Sequence, residues 1–173
     1  FVKRQIDLLS YYKINRLHLH LTDAAGWRIE IKKYPRLTQF AAWRPQAVWK
    51  DWWNGKREYC EETDPRAQGG YYTQDDIREL VAYAQKHYVT IIPEIEMPSH
   101  SEEVLTAYPE LSCTHVPYKQ SDFCIGNEKT FEFLENVLTE VMELFPSEYI
   151  HIGGDEAGKA SWPNCKLCQA RMK

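Results

Sequence analysis

With 173 residues, 43% of them hydrophobic and 27% charged, the chain has the composition of a globular domain large enough for one core. A formal net charge of −4 gives no basic footprint for nucleic acid, and no apolar run is long enough to span a bilayer, so both of those roles are excluded. An aromatic content of 13%, with six Trp and eleven Tyr, suits a sugar-binding surface and a well-filled core equally.

From Phe1 to Tyr12 the apolar residues Val2, Ile6 and Leu9 fall at helical spacing, and Arg16 to Leu21 then alternates at period two. Phe1 opens directly in the helical pattern with no initiator Met, so the sequence reads as a piece of a longer chain. In the strand, His18 and His20 share one face with Thr22, while Leu17, Leu19 and Leu21 share the other. That division fits a barrel wall, polar on its inside and packed against helices on its outside. Asp23 stands at the strand's C-terminal edge, where barrel enzymes carry their chemistry.

The run from Ile29 to Gly70 lacks periodicity and contains Pro35, Pro45, Pro65, Gly55 and four Trp, which marks a long βα loop, with residues 41–70 as its insertion. Trp43, Trp49, Trp52 and Trp53 are expected mainly to pack this loop on itself. Thr73 with Asp76 three residues on is a helix start, and Ile77, Leu80, Val81 and Ala84 form the buried stripe of that helix, which stops near His87. Val89 to Met97 is a second strand, with Glu94, Glu96 and, beyond it, His100 on the polar side. Pro93 within it argues for an edge or a bulge. Phe131, Leu134, Leu138, Val141 and Phe145 then predict an amphipathic helix ended by Pro146.

The stretch Tyr149-Ile-His-Ile-Gly-Gly-Asp-Glu156 closes this pattern as a third strand rising into two glycines and two carboxylates. Adjacent residues on extended chain point to opposite sides, so Asp155 and Glu156 would straddle a ligand, one donating a proton and the other holding a second group. The plainer reading makes Asp155 a helix N-cap with Glu156 in the first turn. Repeated helix and strand with long loops after the strands demands a parallel sheet. The fold class expected is α/β, part of a TIM (β/α)8 barrel, because a complete barrel takes roughly 200 residues or more and only three strands can be placed.

Five cysteines, at 60, 113, 124, 165 and 168, are an odd number. Cys165 and Cys168 form one C-x-x-C pair without the second that a zinc ribbon needs, so no metal is expected, and Cys113 and Cys124 could bridge a loop in an oxidising compartment.

Three motifs in order, Asn15-Arg-Leu-His-Leu-His-Leu-Thr-Asp23 with Gly26-Trp-Arg28, Pro93-Glu-Ile-Glu-Met-Pro-Ser-His100, and His151-Ile-Gly-Gly-Asp-Glu156, resemble the β-N-acetylhexosaminidases of glycoside hydrolase family 20. The resemblance covers nearly the whole chain and makes residues 1–173 part of one catalytic barrel, roughly its strands 2–4. The activity it implies is hydrolysis of terminal N-acetylhexosamine (GlcNAc or GalNAc) β-glycosides by substrate-assisted retention. On that resemblance Glu156 protonates the glycosidic oxygen and later deprotonates water. Asp155 holds the N–H of the 2-acetamido group, whose oxygen attacks the anomeric carbon to give an oxazolinium intermediate. His100 and Asp23 resemble the supporting relay behind the acid. The chain departs from the family pattern at Ala24 and Ala25, where an Asp and a Gln are usual, and at Ser99, where Gly is usual.

The resemblance also implies no cofactor, a glycan or glycoconjugate as substrate, the remainder of the barrel as partner, and an extracytoplasmic setting that is periplasmic, secreted or lysosomal. Open sheet edges on a partial barrel would favour self-association. Two other readings are a metal-dependent hydrolase using His18, His20, His151 and Asp155, and a non-catalytic carbohydrate-binding segment.

Overall fold

The computed structural model describes residues 1–173. Helix α1 (Val2–Tyr11) buries Val2 and Ile6, then turns through Lys13, whose φ is 60°, into strand β1 (Arg16–His20). A tight hairpin follows at once, β2 (Thr22–Asp23) against β3 (Gly26–Trp27), and carries Asp23 onto its exposed edge.

The long loop from Ile29 to Gly70 has more order than its composition suggests. It contains α2 (Arg36–Gln39), β4 (Trp43–Arg44), α3 (Trp49–Asn54) and β5 (Gln68–Gly69), with β4 and β5 paired antiparallel. Its base is closed by a parallel bridge between Ile29 and Tyr72. The Arg28 guanidinium completes that closure by donating to the carbonyls of Ala25, Ala42 and Gly70. Trp52 is fully buried and donates to the Glu58 carbonyl at 3.0 Å, and Trp43 donates to that of Thr38 at 2.7 Å, so both fold the loop on itself as expected. Trp49 and Trp53 instead stack on each other in the open.

Helix α4 (Gln74–Lys86) begins at the expected capping box: Thr73 Oγ1 accepts from the Asp76 amide, and the Asp76 carboxylate accepts from the Thr73 amide. Strand β6 (Thr90–Glu94) follows and pairs parallel with β1, Arg16 opposite Thr90 and His20 opposite Glu94. After β6 come α5 (Glu102–Ala107), α6 (Glu128–Leu144) and α7 (Lys166–Arg171).

Two sequence expectations need correction here. Residues Phe131, Leu134 and Leu138 are only half-buried, and the buried stripe of α6 is Phe133, Val137, Val141 and Leu144. The apolar arc of this helix is wide enough for either phase, and its packing against α4 selects the second. Pro93 lies on neither an edge nor a bulge: β6 is central, with β1 on one side and residues 150–152 on the other. The ladder to that third segment starts at the Pro93 carbonyl, which accepts from His151 N–H, so the missing proline N–H falls before the first rung and costs nothing.

The third strand is short, a bridge between Glu94 and His151 rather than a full ladder. Ile95 donates to His151 but Met97 donates to Ile152, so the register slips by one residue at Glu96, whose own N–H is taken by Thr22 Oγ1 at 2.8 Å. One apolar core runs between these strands and helices α1, α4 and α6, anchored by Ile6, Ile77, Ile91, Ile95, Phe133 and Val137. Each such buried side chain contributes about 1.5–3 kcal/mol.

Candidate active site

The ionisable residues of the three parallel segments gather at their C-terminal ends, in two adjoining clusters. The first is centred on Glu94, which is buried while its partners are half-exposed. One carboxylate oxygen lies 2.6 Å from both His18 Nε2 and His20 Nδ1, and the other lies 2.9 Å from His151 Nδ1. Burial alone would raise the Glu94 pKa, but the hydrogen bonds and charges of these imidazoles outweigh it and hold the carboxyl below its ordinary value. For His20, burial opposes the proton, and the Glu94 and Asp23 carboxylates override that and raise its pKa.

The second cluster is built around His100. Its Nε2 lies 3.2 Å from Glu156 Oε2, and its Nδ1 lies 3.7 Å from Glu96 Oε1 and 3.9 Å from Asp155 Oδ1. Burial disfavours the charged ring, but the Glu156 hydrogen bond and the charges of Asp23, Glu96 and Asp155 carry its pKa above the usual histidine value. Glu96 is buried and moves the other way from Glu94: desolvation raises its pKa, against the bond it accepts from Gly154 N–H at 3.3 Å. His100 and Glu156 both have left-handed backbones, φ 50° and 52°, a conformation that costs roughly 1–2 kcal/mol for a residue with a Cβ. Strain on both partners of one contact is a signature of functional geometry.

The carboxylate pair is held from below. Ser99 donates its hydroxyl to the Asp155 carbonyl at 2.5 Å. Gly153 turns the chain at φ 63°, and a Cβ there would sit 1.9 Å from Glu96 Oε2. Asp155 and Glu156 themselves are exposed, past the two glycines, and lie in a turn rather than on extended strand. No helix starts at them, so the N-cap reading fails. Their separation comes from the left-handed turn at Glu156 instead of from strand alternation.

Sequence reasoning placed Asp155, Glu156, His100 and Asp23 together, and the structure joins the first three. Asp23 differs: its Oδ2 meets His20 Nε2 at 3.3 Å and acts on His100 only through charge, because the β2–β3 hairpin turns it toward β1. Glu94 as a shared partner of three histidines was not foreseen; the signal was there in His20 level with Glu94 on the neighbouring strand and His18 two residues before it on the same face. The alternative metal set does not assemble, since His18 and His151 face Glu94 while Asp155 stands with Glu96 and His100. Nor is there a Cys113–Cys124 bridge: all five cysteines are free thiols.

Parallel strands that deliver carboxylates and imidazoles to one rim define an α/β enzyme-like architecture. The profile described as "Glycosyl hydrolase family 20, catalytic domain" matches residues 1–173, and the chain belongs to that family. It is 42% identical over 180 residues to a beta-hexosaminidase of Porphyromonas gingivalis, covering 99% of this chain and 21% of that protein. A beta-hexosaminidase of Vibrio furnissii is 42% identical over 183 residues, with 99% of this chain and 28% of that protein covered. Among solved structures, a beta-N-acetylhexosaminidase from Bacteroides fragilis superposes with a TM-score of 0.77 at 39% identity, over 99% of this chain and 31% of that one. A GH20 exo beta-N-acetylglucosaminidase from Vibrio harveyi, in complex with N-acetylglucosamine, gives a TM-score of 0.80 at 37% identity, over 99% and 27%. The chain thus spans between about a fifth and a third of the length of these relatives.

Proposed function

We propose that the protein containing this chain hydrolyses terminal N-acetylhexosamine β-glycosides, with residues 1–173 forming part of one TIM barrel and 41–70 a loop insertion in it. The observation that carries this reading is the convergence of Asp155 and Glu156 on His100 at the end of the parallel segments, in a chain of this family. Glu156, exposed and hydrogen-bonded to His100, is the general acid that protonates the leaving oxygen and then the base that activates water. Asp155 orients the substrate's acetamido N–H, so that the amide oxygen attacks the anomeric carbon from the face opposite the leaving group and water later enters from the face the leaving group vacated. No protein carboxylate is needed as nucleophile. His100 fixes the Glu156 carboxylate, and Asp23 supports the proton on His100 by its charge. The same reading places the protein outside the cytoplasm, with a glycan or glycoconjugate as substrate and the rest of the barrel completing the sugar pocket.

The test is Glu156→Gln in the full-length protein, assayed on a chromogenic N-acetylglucosaminide. The expected loss of kcat is roughly 10²–10⁴-fold with the fold preserved by circular dichroism, the usual cost of removing a general acid. Sugar binding without turnover by the unaltered full-length protein would instead mark a carbohydrate-binding module.

A further inference from the structure

Four of the five cysteines converge on one point away from the carboxylates. Cys113 and Cys124 come from the long segment after β6, and Cys165 and Cys168 from the start of α7. Sγ of Cys168 lies 3.6 Å from those of Cys113 and Cys124, Sγ of Cys124 lies 3.7 Å from that of Cys165, and the four sulfurs all fall within 4.8 Å of one another. Four thiolates at about 2.3 Å from a single tetrahedral ion stand about 3.8 Å apart along each edge. A disulfide requires about 2.05 Å between two sulfurs and leaves no reason for a second pair to crowd the first.

We propose that Cys113, Cys124, Cys165 and Cys168 bind one zinc ion as a structural site. Binding converts four thiols and Zn²⁺ into a tetrathiolate complex with release of four protons, and needs no oxidant or reductant. With four protein ligands the coordination shell is closed, so the site braces the fold and offers no position to substrate.

Two features of the surroundings suit this chemistry. The complex carries excess negative charge, and the backbone amides of Gly126 and Cys168 favour the thiolate forms of Cys124 and Cys165 respectively. The second feature is Gly126 itself. A Cβ there would lie 2.1 Å from the Leu167 carbonyl carbon and 2.2 Å from the Cys168 nitrogen, so only glycine lets the Cys124 turn lie flat against the C-x-x-C turn. Cys60 is not part of the cluster.

The place of the site gives it a purpose. Between the sulfurs and the carboxylates, the segment after β6 already grips the segment after Glu156: Asp122 accepts from Lys159 N–H at 2.8 Å, and Trp162 donates to the Phe123 carbonyl at 2.9 Å. Zinc locks the far end of that same contact. It thereby ties the chain that carries His100 to the chain that carries Asp155 and Glu156.

The test uses the full-length protein purified without chelator. Elemental analysis is expected to find one zinc per chain, retained in Cys60→Ser and lost in Cys165→Ser and Cys168→Ser. Exchange of Co²⁺ into the unaltered protein is expected to give the visible bands of tetrahedral thiolate-bound cobalt, a readout that does not depend on how the variants fold. Chelation is expected to lower the melting temperature. Absence of stoichiometric zinc, stoichiometric iron in its place, or mass mapping that pairs these cysteines as disulfides overturns the proposal.

Discussion

Among the carboxylates, Glu103 departs furthest from its ordinary behaviour. It is fully buried in α5 with neither carboxylate oxygen hydrogen-bonded to another residue, and burial, aided by the charges of Asp23 and Glu102, pushes its pKa up from 4.5 to about 8. The folded protein therefore holds a proton there that the unfolded chain releases near pH 4.5. Stability is fully present below that value and falls as pH rises, until the folded form also ionises near pH 8. Glu103→Gln removes this titration while keeping the shape. At pH 7 it is expected to stabilise the protein by about 3 kcal/mol, and at pH 4 by almost nothing. Urea unfolding at the two pH values measures the difference, and a loss of stability at pH 7 would mean that Glu103 is charged and paired. At this scale the sequence singled out Asp155, Glu156 and His100, which the structure brings together, because their motifs lie at strand ends. It hid Glu103, since nothing in Ser101-Glu102-Glu103-Val104 distinguishes the buried acid from its exposed-looking neighbour.

Among the elements, helices α1 and α4 and strands β1 and β6 were legible from periodicity and capping, because each has one wet face and one dry face. The third strand was legible as a segment but not in length. Its pairing ends where Gly153 takes a left-handed turn over Glu96, a tertiary contact that no local pattern encodes. That turn makes Gly153 the joint between sheet and carboxylates. In Gly153→Ala the new methyl would collide with the buried Glu96 carboxylate, displace it from Gly154 N–H and shift Asp155 and Glu156 with it. The expected outcome in the full-length protein is a loss of kcat of roughly 10²-fold or more, since misplacement of reacting groups by about 1 Å costs that much. Stability should fall far less, by about 1–2 kcal/mol, the price of the left-handed backbone. Activity and urea unfolding compared on one preparation separate the two effects; equal, small changes would show that Glu96 yields and that the turn is not the joint. The cysteine cluster was hidden at this scale too, because its halves come from two loops and only one carries the C-x-x-C spacing.

For the whole molecule, the sheet leaves its own prediction. Strand β1 is bonded to β6 on one side only, and the parallel register points the backbone of Asn15, Leu17, Leu19 and Leu21 at β6. The N–H and C=O groups of Arg16, His18 and His20 therefore face outward along an unpaired edge. Beside that edge Tyr11, Tyr12 and Ile14 are exposed, and across the sheet Tyr149 and Ile152 are exposed as well. The imidazoles of His18, His20 and His151 stand about half open above it. Unpaired strand edges rimmed with apolar side chains recruit further strands, from a longer chain or from a second copy. The 173-residue chain made by itself is accordingly expected to self-associate in sedimentation velocity, and to hydrolyse a chromogenic N-acetylglucosaminide feebly or not at all. Charging the edge by His18→Lys together with Ile14→Lys should shift the isolated chain toward monomer, because lysines on an exposed edge oppose strand addition. A monodisperse monomer from the unaltered chain would show that this edge is already satisfied, and would count against the part-barrel reading. Substantial turnover by the same material would place every group essential for catalysis within these 173 residues.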